Sequence, residues 1–190
     1  MGRFSVALVH HPVRHKDGST ITSAVTNTDL HDIARSCTAF GVDRFYIVTP
    51  VHAQRELCRR LVHHWTQGAG ARKNPDRALA FSCMEVVGSI QEALALESAH
   101  AGAPAVAWST AARAAPGTMS FPEARQRIDE LPAVLMLLGT AHGLADDALA
   151  LCTGRLEPIR GRPRADGTEY NHLSVRAAAA IMLERLRGPR

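Results

Sequence analysis

The chain has 190 residues, of which 46% are hydrophobic and 21% charged, the length and apolar content of one globular domain spanning 1–190 rather than two. Its formal charge is +4, and Lys16 and Lys73 are its only lysines, so nearly all the positive charge is arginine, which suits phosphate contact or simply reflects composition. No apolar run approaches the ~20 residues that cross a membrane, the first residues lack the basic-then-apolar pattern of an export signal, and Cys37, Cys58, Cys83 and Cys152 form no C-x-x-C pair, so a soluble cytoplasmic protein with reduced core thiols is expected.

In chain order, residues 5–9 (SVALV), 45–49 (FYIVT), 105–109 (AVAWS), 133–138 (AVLMLL) and 155–159 (RLEPI) read as strands, with 83–87 (CMEVV) as a weaker one. Most are apolar on both faces, the mark of strands covered on both sides in a parallel sheet. Between them, 29–40, 53–65, 90–99, 121–131, 145–151 and 174–186 read as helices: Gly41 stops the first, Gly88-Ser89 can cap the third and Pro122 opens the fourth. The repeated βα rhythm predicts an α/β domain, a mostly parallel sheet with helices on both faces. The long loops are then 11–26, 66–78 and 160–170, and long loops in a compact domain are often functional.

Parallel sheets bind ligands at the C-terminal ends of their strands. Three ends stand out: Ser109-Thr110-Ala111, Gly139-Thr140-Ala141-His142-Gly143 and the Arg-rich segment after Ile159. Small residues there either let a ligand approach the backbone or satisfy turn geometry. No G-x-x-x-x-G-K-[ST] occurs, and Gly68-Ala69-Gly70 follows a helix rather than a strand, which disfavours nucleoside triphosphates and dinucleotides. His10, His11 and His15 crowd together, but Pro12 separates them and no cysteine or carboxylate pattern completes a metal site; no metal is expected. Cys37 and Cys58 fall at core spacing. On the helix that starts near Asn27, Leu30, Ile33, Ala34 and Cys37 form an apolar face, while Asp29, Asp32 and Arg35 share another at i, i+3 spacing.

Residues 29–50 (DLHDIARSCTAFGVDRFYIVTP) resemble the first motif of the SpoU-type branch of the SPOUT RNA methyltransferases, in which N-x-x-x-x-x-R precedes an apolar helix, a Phe-Gly turn and a strand. LMLLGTAHGLADDAL resembles the second motif, and LEPIRG with YNHLSVRAAAAIMLERL resembles the third, where an Ile-Pro strand end is followed by S-L-N-V-S-V-A at the opening of the last helix. Together they cover residues 5–186, and the opening of the chain is similar to a group of small single-domain members.

The resemblance implies a C-terminal trefoil knot, a homodimer, and S-adenosylmethionine bound by the three strand-end loops, adenine lying in an apolar slot against backbone groups. By position, Trp108 and Ser109 belong to the first loop, Gly139 and His142 to the second, and Ile159, Leu173 and Ser174 to the third. Arg35 matches the motif arginine, with Asp29, Asn27 and Asp32 as further catalytic candidates. The implied reaction is metal-free methyl transfer to tRNA or rRNA, at a ribose 2′-hydroxyl or a base nitrogen. Asp29 stands where the motif has Asn, and His172, beside Asn171, stands at the third motif's Asn, which leaves the methylated position open. A knotted RNA-binding protein without catalysis and a doubly wound oxidoreductase are the competing readings.

Overall fold

A computed structural model describes residues 2–110, 112–113 and 116–189. Six strands form one parallel sheet in the order β5-β4-β1-β7-β6-β8: β1 (Arg3–Val9), β4 (Phe45–Val48), β5 (Met84–Val87), β6 (Val106–Ser109), β7 (Ala133–Gly139) and β8 (Cys152–Arg155). A short antiparallel hairpin, β2 (Val13–Arg14) and β3 (Thr20–Ile21), stands apart from it. The central pair β1 and β7 runs in register from Arg3 opposite Ala133 to Val9 opposite Gly139, and all but one residue at the outer end of each is buried. That burial is why both strands are apolar on both faces.

The helices are α1 (Asn27–Ala39), α2 (His52–Thr66), α3 (Ala69–Lys73), α4 (Pro75–Ser82), α5 (Ile90–Ala101), α6 (Phe121–Glu130), α7 (Asp146–Leu149) and α8 (Val175–Arg187). Leu30, Ile33, Ala34 and Cys37 of α1 pack with Ala179, Leu183 and Leu186 of α8 and with Phe4, Val6 and Leu8 of β1 on one side of the sheet. On the other side Ile90 and Ala93 of α5 and Ala148 of α7 cover Ala7, Val9, Leu135 and Leu137. Thr26, Asn74, Ser89, Ser120 and Ser174 cap α1, α4, α5, α6 and α8 through their side chains, each accepting a backbone N–H of the first turn. The α/β class with helices on both faces stands as expected.

The structure differs from these expectations in the 66–78 segment, the last strand and the short helix before it. The loop placed at 66–78 holds α3 and the start of α4, because Asn74 and Pro75 begin a helix rather than break one. The glycine pair near 68–70 is packing: a Cβ on Gly70 would lie 2.7 Å from the Trp65 ring. The last strand is Cys152–Arg155 rather than 155–159; it is an edge strand with an exposed Thr153, so it lacks the continuous apolar run that betrays a central one. The helix at 145–151 shrinks to the single turn of α7.

Candidate active site

The C-terminal ends of β7, β6 and β8 open into one cleft of about 1080 Å³. Its floor is apolar, built from Leu138, Leu144, Ile159, Ala178 and Met182. One wall is the turn after β7, and another is the entry to α8 from Asn171 to Val175. The 11–26 loop supplies the third: Val13 bridges Leu144, Arg14 N–H donates to Gly143 O at 2.8 Å, and His142 N–H donates to Arg14 O at 3.1 Å. Asn171 Nδ2 donates to Ala112 O, tying the third strand-end segment to the first. Ala111, in the first of these turns, lies outside the described residues.

A partly buried hydrogen-bond chain fixes the base of the wall formed by the 11–26 loop. Thr140 donates its hydroxyl to Val9 O at 2.9 Å, so it accepts from Ser23 Oγ at 2.6 Å, and Ser23 in turn accepts from Nδ1–H of His10 at 2.9 Å. Burial holds the pKa of His10 down to about 4 despite the nearby Asp29 carboxylate, so the ring is neutral.

The turn after β7 is tight. A Cβ on Gly139 would lie 2.7 Å from Leu144 N and 2.9 Å from Gly143 C, both backbone atoms of the turn itself. Gly139 is therefore required by the turn's own geometry, whatever else the turn contacts. Ala141 adopts φ 51° and Gly143 φ 100°, a left-handed pair in which alanine is strained.

Of the residues singled out in the sequence, Asp29, Gly139, His142, Ile159, Leu173 and Ser174 line the cleft. Ser109 lines a smaller neighbouring recess of about 270 Å³ that shares Arg155 with the cleft. Trp108 is 2% exposed and packs over Gly154 and Met119, so it is a core residue beneath β8 and not part of the lining. Asn27 and Arg35 are exposed on α1, and neither they nor Asp32 line the cleft. The acidic residues of α1 do not pair with Arg35. Arg176 of α8 takes both, its Nε 3.4 Å from Asp29 and its Nη1 3.9 Å from Asp32.

Arg176 and Arg155 escaped the sequence reading. Nothing in the spacing of the last helix reveals that α8 docks on α1, whereas placing β8 correctly would have put Arg155 at a strand end. Arg155 Nε is buried and has no hydrogen-bond partner among the described residues. With Arg14, Lys16 and Arg113 it makes the cleft cationic, and Asp29 is the single carboxylate among its described lining residues. Arg14 is itself held by Asp146. Arg160, Arg162 and Arg164 are exposed on the loop leading to α8.

Burial pushes the Cys58 and Cys152 thiols up to about 11 and raises Cys37 and Cys83 as well, which keeps all four protonated and suits packing rather than nucleophilic attack. Among the described residues no three metal-ligating side chains come together.

Comparison with known proteins places the family and the fold. A family model described as SAM-dependent RNA methyltransferase matches residues 3–188. A protein of Oleidesulfovibrio alaskensis named tRNA (guanine-N(1)-)-methyltransferase is 44% identical over 182 residues, covering 96% of this chain and 41% of that protein. An uncharacterized protein of Aquifex aeolicus is 34% identical over 182 residues, covering 95% of this chain and 86% of the relative. The chain thus spans about two fifths of the first of these. Among solved structures, a probable methyltransferase from Bordetella pertussis superposes with a TM-score of 0.64 at 17% identity, covering 98% of this chain and 95% of that one. The SpoU methyltransferase AviRb from Streptomyces viridochromogenes, in complex with AdoMet, gives a TM-score of 0.57 at 17% identity, covering 97% and 56%. At such identities the structures show the fold.

Proposed function

Since the chain belongs to the SAM-dependent RNA methyltransferase family, we propose that it methylates tRNA in the cleft at the ends of β7, β6 and β8, with Asp29 as the proton-accepting group. The observation that carries this reading is the cleft itself: an apolar floor, a cationic lining and one carboxylate at its edge. Its volume accommodates a nucleoside-sized ligand. The lining also fits the cofactor, because Arg155 brings an unpartnered buried N–H to a molecule that carries a carboxylate. Leu138, Leu144 and Ile159 offer the apolar slot, the turn from Gly139 to Leu144 offers backbone groups, and His142, Leu173 and Ser174 close the sides. When bound, S-adenosylmethionine supplies a methyl group already activated for transfer.

The remaining work falls to the chain. Asp29 takes the proton that the nucleophilic RNA atom loses as it gains the methyl group; Arg176 anchors one oxygen of its carboxylate and the Thr26 hydroxyl donates to the other, which holds the group in place. Lys16, Arg113 and the exposed arginines at 160, 162 and 164 receive RNA phosphates. A carboxylate where the ribose-methylating motif has Asn favours a base nitrogen as the acceptor. The guanine-N1 activity in the relatives' name belongs to proteins more than twice as long as the matched stretch, so the atom is to be mapped directly.

No described helix is long and apolar enough to cross a membrane, and we place the protein in the cytoplasm. We also propose a trefoil knot formed by the segment from Leu156 to α8, and a homodimer. The test is Asp29→Asn, which retains a hydrogen-bonding side chain and removes the base. S-adenosylmethionine affinity should stay within about twofold while methyl transfer to tRNA falls ~100-fold or more; unchanged transfer would overturn Asp29's role.

A further inference from the structure

The charge of the chain is unevenly spread. Between Val51 and Ser82, Arg55, Arg59, Arg60, Arg72, Lys73 and Arg77 stand against Glu56 and Asp76, an excess equal to the +4 of the entire chain. Residues 83–139, by contrast, carry three arginines against six carboxylates. The basic stretch is α2, α3 and α4, three helices packed on one another beside the β4–β5 edge of the sheet, at the opposite edge from β8. The lobe therefore lies apart from the cleft, and none of its residues is among the cleft's lining.

Half of its six cations make no ion pair, side-chain hydrogen bond or ring contact among the described residues. Arg55 donates to Thr49 O and Pro50 O, and Arg59 pairs with Glu56 at 2.8 Å. Arg60, Arg72 and Lys73 are exposed and make no ion pair among the described residues. Arg77 lies over the Trp65 ring, 4.9 Å from its centroid. Arg35 continues the lobe along α1, which packs against α4; it too is exposed and makes no ion pair among the described residues. His31, on the same helix, is held below its usual pKa first by burial and then by the charges of Arg77 and Arg35, which Asp32 opposes.

A folded RNA reaches well beyond the nucleotide being modified and presents a continuous row of phosphates, and arginine-rich helices are suited to grip such a row without reading sequence. We propose that the α2–α4 lobe, extended along α1 by Arg35, is a second RNA-docking surface that holds phosphates of the substrate at a distance from the reacting nucleotide. This rests on RNA being the substrate, and it gives Arg35 a role in substrate binding rather than at the reacting atom.

The test uses the full chain with Arg60→Gln, Arg72→Gln and Lys73→Gln combined, all exposed positions whose change leaves the core intact. Binding of an unmodified tRNA transcript is measured from about 50 to 300 mM KCl, each lost phosphate contact removing ~0.7–0.9 from the slope of log affinity against log salt. The expected result is tRNA affinity weakened about tenfold or more at low salt, a slope shallower by about 2, and unchanged melting temperature and S-adenosylmethionine affinity. In turnover, KM for tRNA should rise while kcat at saturating tRNA is kept. Unchanged tRNA affinity and slope would overturn the proposal. So would loss of binding to phosphatidylglycerol vesicles with tRNA binding intact, which would make the lobe a membrane contact. If the wild-type protein binds tRNA but methylates nothing, the proposed reaction fails, while the lobe still stands or falls on the binding data alone.

Discussion

Replacing Gly139 with alanine separates two reasons for a glycine at a strand end. In this fold the added methyl would sit 2.7 Å from Leu144 N, 2.9 Å from Gly143 C and 3.1 Å from Gly143 Cα. All three are backbone atoms, so no rotation of a side chain relieves the clash, and the turn from Thr140 to Gly143 must move. Overpacking of this kind costs about 2 kcal/mol, which for a domain of this length lowers the melting temperature by ~4–8 °C. That loss should appear in the protein without cofactor, by scanning calorimetry. A titration should then show weaker S-adenosylmethionine binding as well, because the displaced turn is a wall of the cleft. An unshifted melting temperature combined with lost affinity would refute the reasoning, since it would mean that the glycine is kept for the ligand and not for the turn.

Arg176→Gln breaks two partly exposed ion pairs and should cost about 1 kcal/mol of stability or less. Methyl transfer should nevertheless fall ~10-fold or more as Asp29 loses its anchor; full activity would make the bridge a mere staple between α1 and α8. His10 has a folded-state pKa lowered by burial to about 4 from 6.5. Its contribution to stability is therefore complete above about pH 6.5 and declines toward pH 4, by up to about 3 kcal/mol, as the unfolded chain takes up a proton that the folded chain refuses. Urea denaturation of His10→Asn should lose that part of the slope, and an unaltered pH profile would discount the buried ring. Arg155→Met should reduce the preference for S-adenosylhomocysteine over 5′-methylthioadenosine, which lacks the amino-acid portion, by about tenfold or more; a retained preference would free Arg155 from carboxylate binding.

The central strands were legible because burial on both faces leaves a continuous apolar run, as in AVLMLL. The edge strand β8 carries no such run, so the apolar pattern places it three to four residues too late and Arg155 at its start rather than its end. Breaker residues misled at 66–78, where Asn74-Pro75 is a helix start. At the site, the spacing of α1 puts Asp29, Asp32 and Arg35 on one helix face but says nothing of what the two carboxylates pair with. The partner they adopt, Arg176, is more than 140 positions away, a contact fixed by the packing of α8 on α1. The family resemblance places Trp108 at the first loop by position, but it lies one residue inside the end of β6 and packs inward over Gly154. Local rules see periodicity and caps, whereas contacts between elements distant in sequence depend on a topology they do not encode.

Methyl transfer is tested most directly by incubating the protein with methyl-labelled S-adenosylmethionine and tRNA from a strain lacking its gene, then digesting the tRNA and identifying the labelled nucleoside. Label is expected at one nucleotide, on a base nitrogen, with incorporation by Asp29→Asn reduced ~100-fold or more. Saturating binding of S-adenosylmethionine and of tRNA with no label entering the RNA would contradict this expectation.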